Sequence, residues 1–209
     1  MEKINQLIKR YPQLNGSRES IVCAYELIRS AYRDNKKLLI AGNGGSAADA
    51  EHIVGELMKG FKKRRPVNNS FREALIAIDE ERGNVLADKL QGTLRAINLA
   101  NHQGLTTAFT NDVDASMCFA QQVMGYGDKG DVFLGITTSG NSDNVIKAAI
   151  TAKALDIRVI GLTGQDGGRI SELADVVINV PEKETYKIQE LHLPIYHFLC
   201  LMLEEEFFG

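Results

Sequence analysis

Short apolar runs alternate with segments of helical period along most of the chain, and this alternation restricts the fold more than any other feature. Residues 36–40, 74–78, 105–109, 131–136, 158–163 and 176–180 read as strands. Helical periodicity marks residues 46–61, 83–103, 115–124, 143–155 and a final helix over about 185–207. Ser17 is placed to cap an earlier helix, in which Ile21, Ala24, Tyr25, Ile28 and Tyr32 recur at helical spacing. Strands that are apolar throughout are buried on both faces, and parallel neighbours need right-handed crossovers. The expected fold is therefore α/β, a doubly wound parallel sheet of about five core strands flanked by helices, with N-terminal helices over residues 1–35.

At 209 residues and 44% hydrophobic, the chain has the size and apolar content for one domain over 1–209. Within it, residues 67–103 form an extended connection whose stripe Leu86, Leu90, Leu94 and Ile97 predicts an extra helix docked on the subunit or its neighbour. A net charge of -3 gives no basic footprint for nucleic acid. The basic run at 62–66 reads as solvated surface. The longest apolar stretch, 191–203, is interrupted by His192 and His197 and is shorter than the roughly 20 residues of a membrane span. The charged first segment does not read as a signal peptide, and Cys23, Cys118 and Cys200 lack metal-ligand spacing. A cytoplasmic protein with a small-molecule partner is expected.

Two turns sit where a sheet of this kind binds ligands, beyond the carboxyl ends of strands. The first, Asn43-Gly44-Gly45-Ser46, lets backbone amides approach an anionic or polyhydroxyl ligand, because glycine has no Cβ and tolerates positive φ. It also satisfies a loose dinucleotide pattern through Gly42, Gly44 and Ala47. However, no acidic residue follows about 20 positions on, which argues against a nucleotide. The second turn sets Thr137, Thr138, Ser139 and Ser142 between a strand and a helix N-terminus, a cluster of hydroxyls and free N–H groups suited to phosphate. Ser142 would otherwise serve only as a helix cap.

His52 and Glu56, four residues apart, share a helix face at a spacing that suits a metal pair, a base with its orienting partner, or plain solvated surface. The last helix carries Gln189, Glu190, His192 and His197 in an otherwise apolar segment. Each histidine there is either functional or a satisfied core imidazole. Gln189 and His197 lie about 12 Å apart on an ideal helix axis, and a kink at Pro194 is the expected means of bringing them together.

The segments AGNGGSAADAEH, DVFLGITTSGNSDNVIKA, VIGLTGQDGG and KIQELHLPIYH, in this order, resemble bacterial phosphoheptose isomerases, a family built on the SIS (sugar isomerase) domain. The likeness runs from Lys37 to the C-terminus, leaving out about 67–102. It implies an aldose–ketose isomerase that converts D-sedoheptulose 7-phosphate to D-glycero-D-manno-heptose 7-phosphate through an enediol, usually as a homotetramer. It assigns substrate contacts to Asn43, Gly44, Gly45, Ser46, Glu56, Asn111, Asp112, Thr137, Thr138, Ser139, Ser142 and Gln189. The same resemblance implies zinc held by His52, Glu56, Gln189 and His197, with Glu56 as base and His197 as acid. Lys59-Gly60 stands where relatives often carry Gly-Arg, and Lys187 replaces a common Arg. The competing readings are an isomerase of another ketose phosphate, or a non-catalytic SIS adaptor or sugar-phosphate-binding protein.

Overall fold

The computed structural model describes residues 2–209. In chain order the elements are α1 (Glu2–Arg10), α2 (Arg18–Arg33), β1 (Leu38–Gly42), α3 (Gly45–Met58), α4 (Asn69–Ile78), α5 (Glu80–Lys89) and β2 (Ala96–Asn98). They continue as α6 (Gln103–Asp112), α7 (Cys118–Tyr126), β3 (Val132–Ile136), α8 (Asp143–Ala154), β4 (Arg158–Thr163), β5 (Val176–Asn179) and α9 (Thr185–Phe208). Five parallel strands form one sheet in the order β2-β1-β3-β4-β5. The doubly wound α/β expectation holds.

Successive strand side chains point to opposite faces. Leu38 and Ile40 pack with Val132, Leu134 and Ile136 under α2, α3 and α9, whereas Leu39, Ala41 and Phe133 pack against α7 and α8. Both faces are covered, which is why β1 and β3 are apolar at every position. Burying each Leu or Ile in this way contributes about 1.5–3 kcal/mol. Strand order reverses between β1 and β3, where Gly42 pairs with Ile136. A crevice opens at such a reversal, and both motif turns emerge beside it.

Residues 67–112 depart from the sequence expectations. Residues 74–78 are helical, not a strand: Asn68 caps α4 by accepting from the Phe71 amide, and Asp79 caps α5 by accepting from Arg82. The two short helices form a hairpin, in which Gly83 lies so close to Leu75 that a Cβ would strike the Leu75 carbonyl carbon at 2.5 Å. The expected helix over 83–103 ends at Lys89, and its stripe divides. Leu86 and Leu90 stay exposed, Leu94 enters the core, and Ile97 belongs to β2. Residues 105–109 lie in α6, also not a strand. The edge position they would have occupied is filled by β2, three residues that pair with Leu38, Leu39 and Ile40.

Two smaller corrections have the same origin. Ser17 stands at the α2 N-cap, but its hydroxyl donates to the Asn179 carbonyl instead of capping the helix, so it ties α2 to the end of β5. Within 62–66, Lys62 and Arg64 are exposed, whereas Arg65 is fully buried against Glu204. Among the described residues, no helix is long and apolar enough to cross a membrane.

His192 is completely buried on α9, and neither ring nitrogen has a hydrogen-bond partner. Burial, the larger effect, pushes the imidazole down to about 4 against the upward pull of the Thr163 backbone. The folded protein thus binds fewer protons here than the unfolded chain, whose histidine titrates near 6.5. Stability is full above pH 6.5, falls as pH drops toward 4, and levels off below that, at a total cost on the order of 3 kcal/mol. Denaturant midpoints measured from pH 7.5 to 4 should show this slope flattened in His192→Leu; an unchanged slope would refute it.

Candidate functional site

The first turn leaves β1 at Gly42 and reverses through Gly44, whose φ of 54° is left-handed backbone, before α3 begins at Gly45. Glycine at 45 has a tertiary reason. A Cβ there would lie 2.5 Å from Nε2 of Gln189, so the absence of a side chain lets α9 bring this amide against the turn. Gly45→Ala meets the flexible end of a side chain, not backbone. It should therefore fold with a thermal midpoint near that of the wild type while displacing Gln189. If Gln189 contacts ligand, kcat/KM falls about 10-fold, one hydrogen bond's worth of 1.4 kcal/mol. Unchanged kinetics would remove Gln189 from the site.

Asn43 is exposed and exchanges reciprocal 2.9 Å hydrogen bonds with Asn144 on α8, linking the first turn to the helix that follows the second. In the second turn Thr137 is buried, and its hydroxyl meets that of Ser142 at 2.9 Å. Ser142 occupies the α8 N-cap without a side-chain capping bond, so the capping explanation does not account for it. Ser139 is exposed and accepts from the Asn141 amide. Gly140 (φ 69°) and Gly168 (φ 60°) press together, and Gly164 donates to the Thr138 carbonyl. The loop after β4 thus buttresses the hydroxyl turn.

A cluster of polar side chains joins α3 to α9. His52 Nε2 lies 3.3 Å from Glu56 Oε1 and 3.4 Å from His197 Nε2. His52 Nδ1 is 3.2 Å from the Tyr196 hydroxyl, which donates to Asp49 Oδ1 at 3.2 Å. Burial raises the Tyr196 phenol and Asp49 beside it adds to the rise, so Tyr196 remains protonated. With the hydroxyl hydrogen directed at Asp49, the phenol oxygen is free to accept from His52 Nδ1, while His52 Nε2 faces Glu56 and His197. Burial, and His52 next to it, hold the His197 imidazole below its usual value against the pull of Glu56. Phe61 covers His197, with ring centroids 5.4 Å apart. Lys59 Nζ reaches within 3.5 Å of Glu56 Oε2 from the exposed side.

An imidazole nitrogen and a carboxylate facing each other at 3.3 Å suit either a shared proton or a cation. Donors on a zinc tetrahedron with bonds of 2.0–2.1 Å stand about 3.3 Å apart, close to both spacings around His52. The other ring nitrogen of His52 is engaged by Tyr196, as is usual for a metal-ligating histidine. Among the described residues, however, no three His, Cys, Asp or Glu side chains form a complete metal-ligating group. Gln189 lies at the first turn against Gly45, and α9 continues as one helix through Pro194.

The structure therefore gathers His52, Glu56 and His197, and separately lines the β1/β3 crevice with Asn43–Ser46, Gln189 and Thr137–Ser142. Asn111 and Asp112 join neither group. They are exposed at the end of α6, where Asn111 donates to Asp112. Sequence reasoning assigned no role to Asp49, Tyr196 or Asn144. Asp49 stands three residues before His52 on the same helix face, and that spacing was the available signal. A cavity of about 770 Å³ opens beside His197, between α1 and α9, with Lys3, Arg10, Lys62 and Lys63 on its walls. It includes no residue of either turn.

Comparison with known proteins agrees with this geometry. The family profile described as SIS domain matches residues 93–202. The phosphoheptose isomerase of a Nitratiruptor species is 40% identical, covering 90% of this chain and 84% of that protein. That of Aneurinibacillus thermoaerophilus is 36% identical, covering 98% and 96%. Among solved structures, phosphoheptose isomerase GmhA from Neisseria gonorrhoeae superposes with a TM-score of 0.72 at 31% identity, over 96% of this chain and 98% of that one. A phosphoheptose isomerase from Francisella tularensis gives 0.77 at 29% identity, over 98% and 97%.

Proposed function

We infer that this chain, which belongs to the phosphoheptose isomerase family of SIS-domain proteins, interconverts D-sedoheptulose 7-phosphate and D-glycero-D-manno-heptose 7-phosphate. The observation that carries the reading is the His52–Glu56–His197 cluster between α3 and α9, helices that also bring Gly45, Ser46 and Gln189 together at the first turn.

Isomerisation moves one proton between C1 and C2 and redistributes those on the two oxygens. Glu56 takes the proton from C1 while His197 gives one to the C2 carbonyl oxygen, leaving the cis-enediol. The carboxyl group then returns its proton at C2 as the imidazole takes the proton of the C1 hydroxyl, which generates the aldehyde. Thr137, Thr138, Ser139 and Ser142, with the first amides of α8, hold the phosphate as acceptor-rich anion against donor groups. Zinc, when bound, would be held by His52, Glu56 and His197, with Gln189 of the first-turn crevice as the fourth donor that the resemblance implies, and would polarise the carbonyl as a Lewis acid in place of proton donation by His197. A homotetramer is part of the proposal, resting on the family resemblance, and the exposed Leu193 on α9 beside the cavity against α1 is a candidate contact for a second subunit.

The test is turnover of D-sedoheptulose 7-phosphate in deuterium oxide, with and without a chelator, beside a panel of other ketose phosphates. Aldose carrying deuterium at C2 supports the reading, and chelator sensitivity supports zinc. No aldose under either condition, or faster turnover of another ketose phosphate, overturns the assigned substrate. Light scattering of the purified chain reads the oligomeric state.

A further inference from the structure

We propose that Arg65 is a positioning residue for this site: paired with Glu204, its guanidinium locks the end of α3 that carries Glu56 to α9, which carries His197. The inference rests on the isomerase reading and adds to it a residue that touches neither substrate nor the reacting atoms. The last carbonyls of a helix have no partner within it. Arg65 supplies two: Nη1 donates to Leu57 O at 2.8 Å and Nη2 to Glu56 O at 3.1 Å. The same fork reaches Glu204, with Nε and Nη2 at 3.0 and 2.9 Å from Oε1.

Glu204 is buried and also accepts from the amides of Phe61 and Lys62, each at 2.8 Å. It stands seven residues beyond His197, two turns along one face of α9. One ion pair therefore sets the backbone of Glu56, the Phe61 ring that covers His197, and the helix that holds His197. Burial raises the Glu204 carboxyl, but the amide donors and Arg65 outweigh it and leave it below its usual value, so the pair is ionised. Apolar residues of similar volume commonly stabilise such a position as well as an ion pair does. The fork geometry is what they cannot reproduce, nor can lysine, a point charge without a planar array of donors.

The experiment compares wild type, Arg65→Lys and the double variant Arg65→Met with Glu204→Leu. For each, kcat and KM with D-sedoheptulose 7-phosphate, thermal midpoint, and the NMR signals of the four histidine rings are measured. Arg65→Lys should lower kcat 10-fold or more with KM within twofold, since displacing reacting groups by about 1 Å can cost 100-fold. It should shift the His52 and His197 ring signals and leave that of His102 in place. The double variant should recover the thermal midpoint without recovering kcat, and it carries the same comparison if Arg65→Lys does not fold. A kcat within twofold of wild type in either variant, or one that rises with the thermal midpoint, overturns the proposal and leaves Arg65 purely structural. If the wild type does not turn over this sugar, the substrate reading fails on its own. The histidine signals then decide, and unmoved His52 and His197 rings sink the positioning role.

Discussion

Glu56→Gln should abolish nearly all turnover, lowering kcat by about 10²–10⁴-fold, the usual contribution of a positioned general base. The amide keeps the shape of the carboxylate but cannot accept the C1 proton. On the proposed reading the β3–α8 turn holds the substrate phosphate and Glu56 acts at C1, so KM should change much less than kcat. The stability change should be modest: Glu56 itself is 13% exposed, but its partners His52 and Lys59 are 42% and 59% exposed, pairs open to solvent contribute about 1 kcal/mol or less, and the amide retains hydrogen-bonding capacity. Steady-state kinetics with a parallel melting curve check the result. A variant that folds and retains more than a tenth of wild-type kcat would remove Glu56 from the role of base.

Gly140→Ala should damage both stability and substrate binding. Its φ of 69° is left-handed backbone, which costs a residue with a side chain about 1–2 kcal/mol. The added Cβ would also strike the Gly167 carbonyl, with its carbon at 2.5 Å, and neither partner is a side chain free to swing aside. The two loops are knitted by backbone: Ile170 N donates to Gly140 O at 3.0 Å, and Arg169 N donates to the Asn141 side chain at 3.0 Å. Relief therefore means moving the hydroxyl turn itself. A loss of about 3 kcal/mol or more is expected, roughly 6–12 °C in thermal midpoint, with KM raised 10-fold or more. Gly104→Ala is the matched control, since a Cβ there meets nothing within 4 Å and α6 should gain slightly in stability. Equal melting of the two variants would refute the account.

What the sequence made legible was local. Residues 131–136 and 143–155 announce themselves by period and by the turn between them, and the structure follows them to within a residue or two. The strand at 74–78 and the strand at 105–109 failed for one reason. A run such as Ala-Leu-Ile-Ala-Ile suits either element, and a cap at Asn68, a facing helix and an edge already filled by β2 decided the matter. Ala96–Asn98 is too short to carry a periodic signal, and it is a strand because β1 offers it a partner.

The candidate site divides in the same way. The two turns and the His52/Glu56 pairing could be read from sequence, because glycine tolerance, hydroxyl clustering and i, i+4 spacing act over a few residues. The approach of His197 to His52 across 145 positions, the Asp49–Tyr196–His52 relay and the burial of Arg65 by Glu204 could not. Their energies depend on desolvation and on partners distant in the chain, which exist only once α3 and α9 are packed on the same face of the sheet. By itself the sequence determined an α/β sheet with two anion-suited turns at its carboxyl edge. Only the tertiary structure decided which polar groups meet there, because burial turns a weak pairing preference into a fixed geometry.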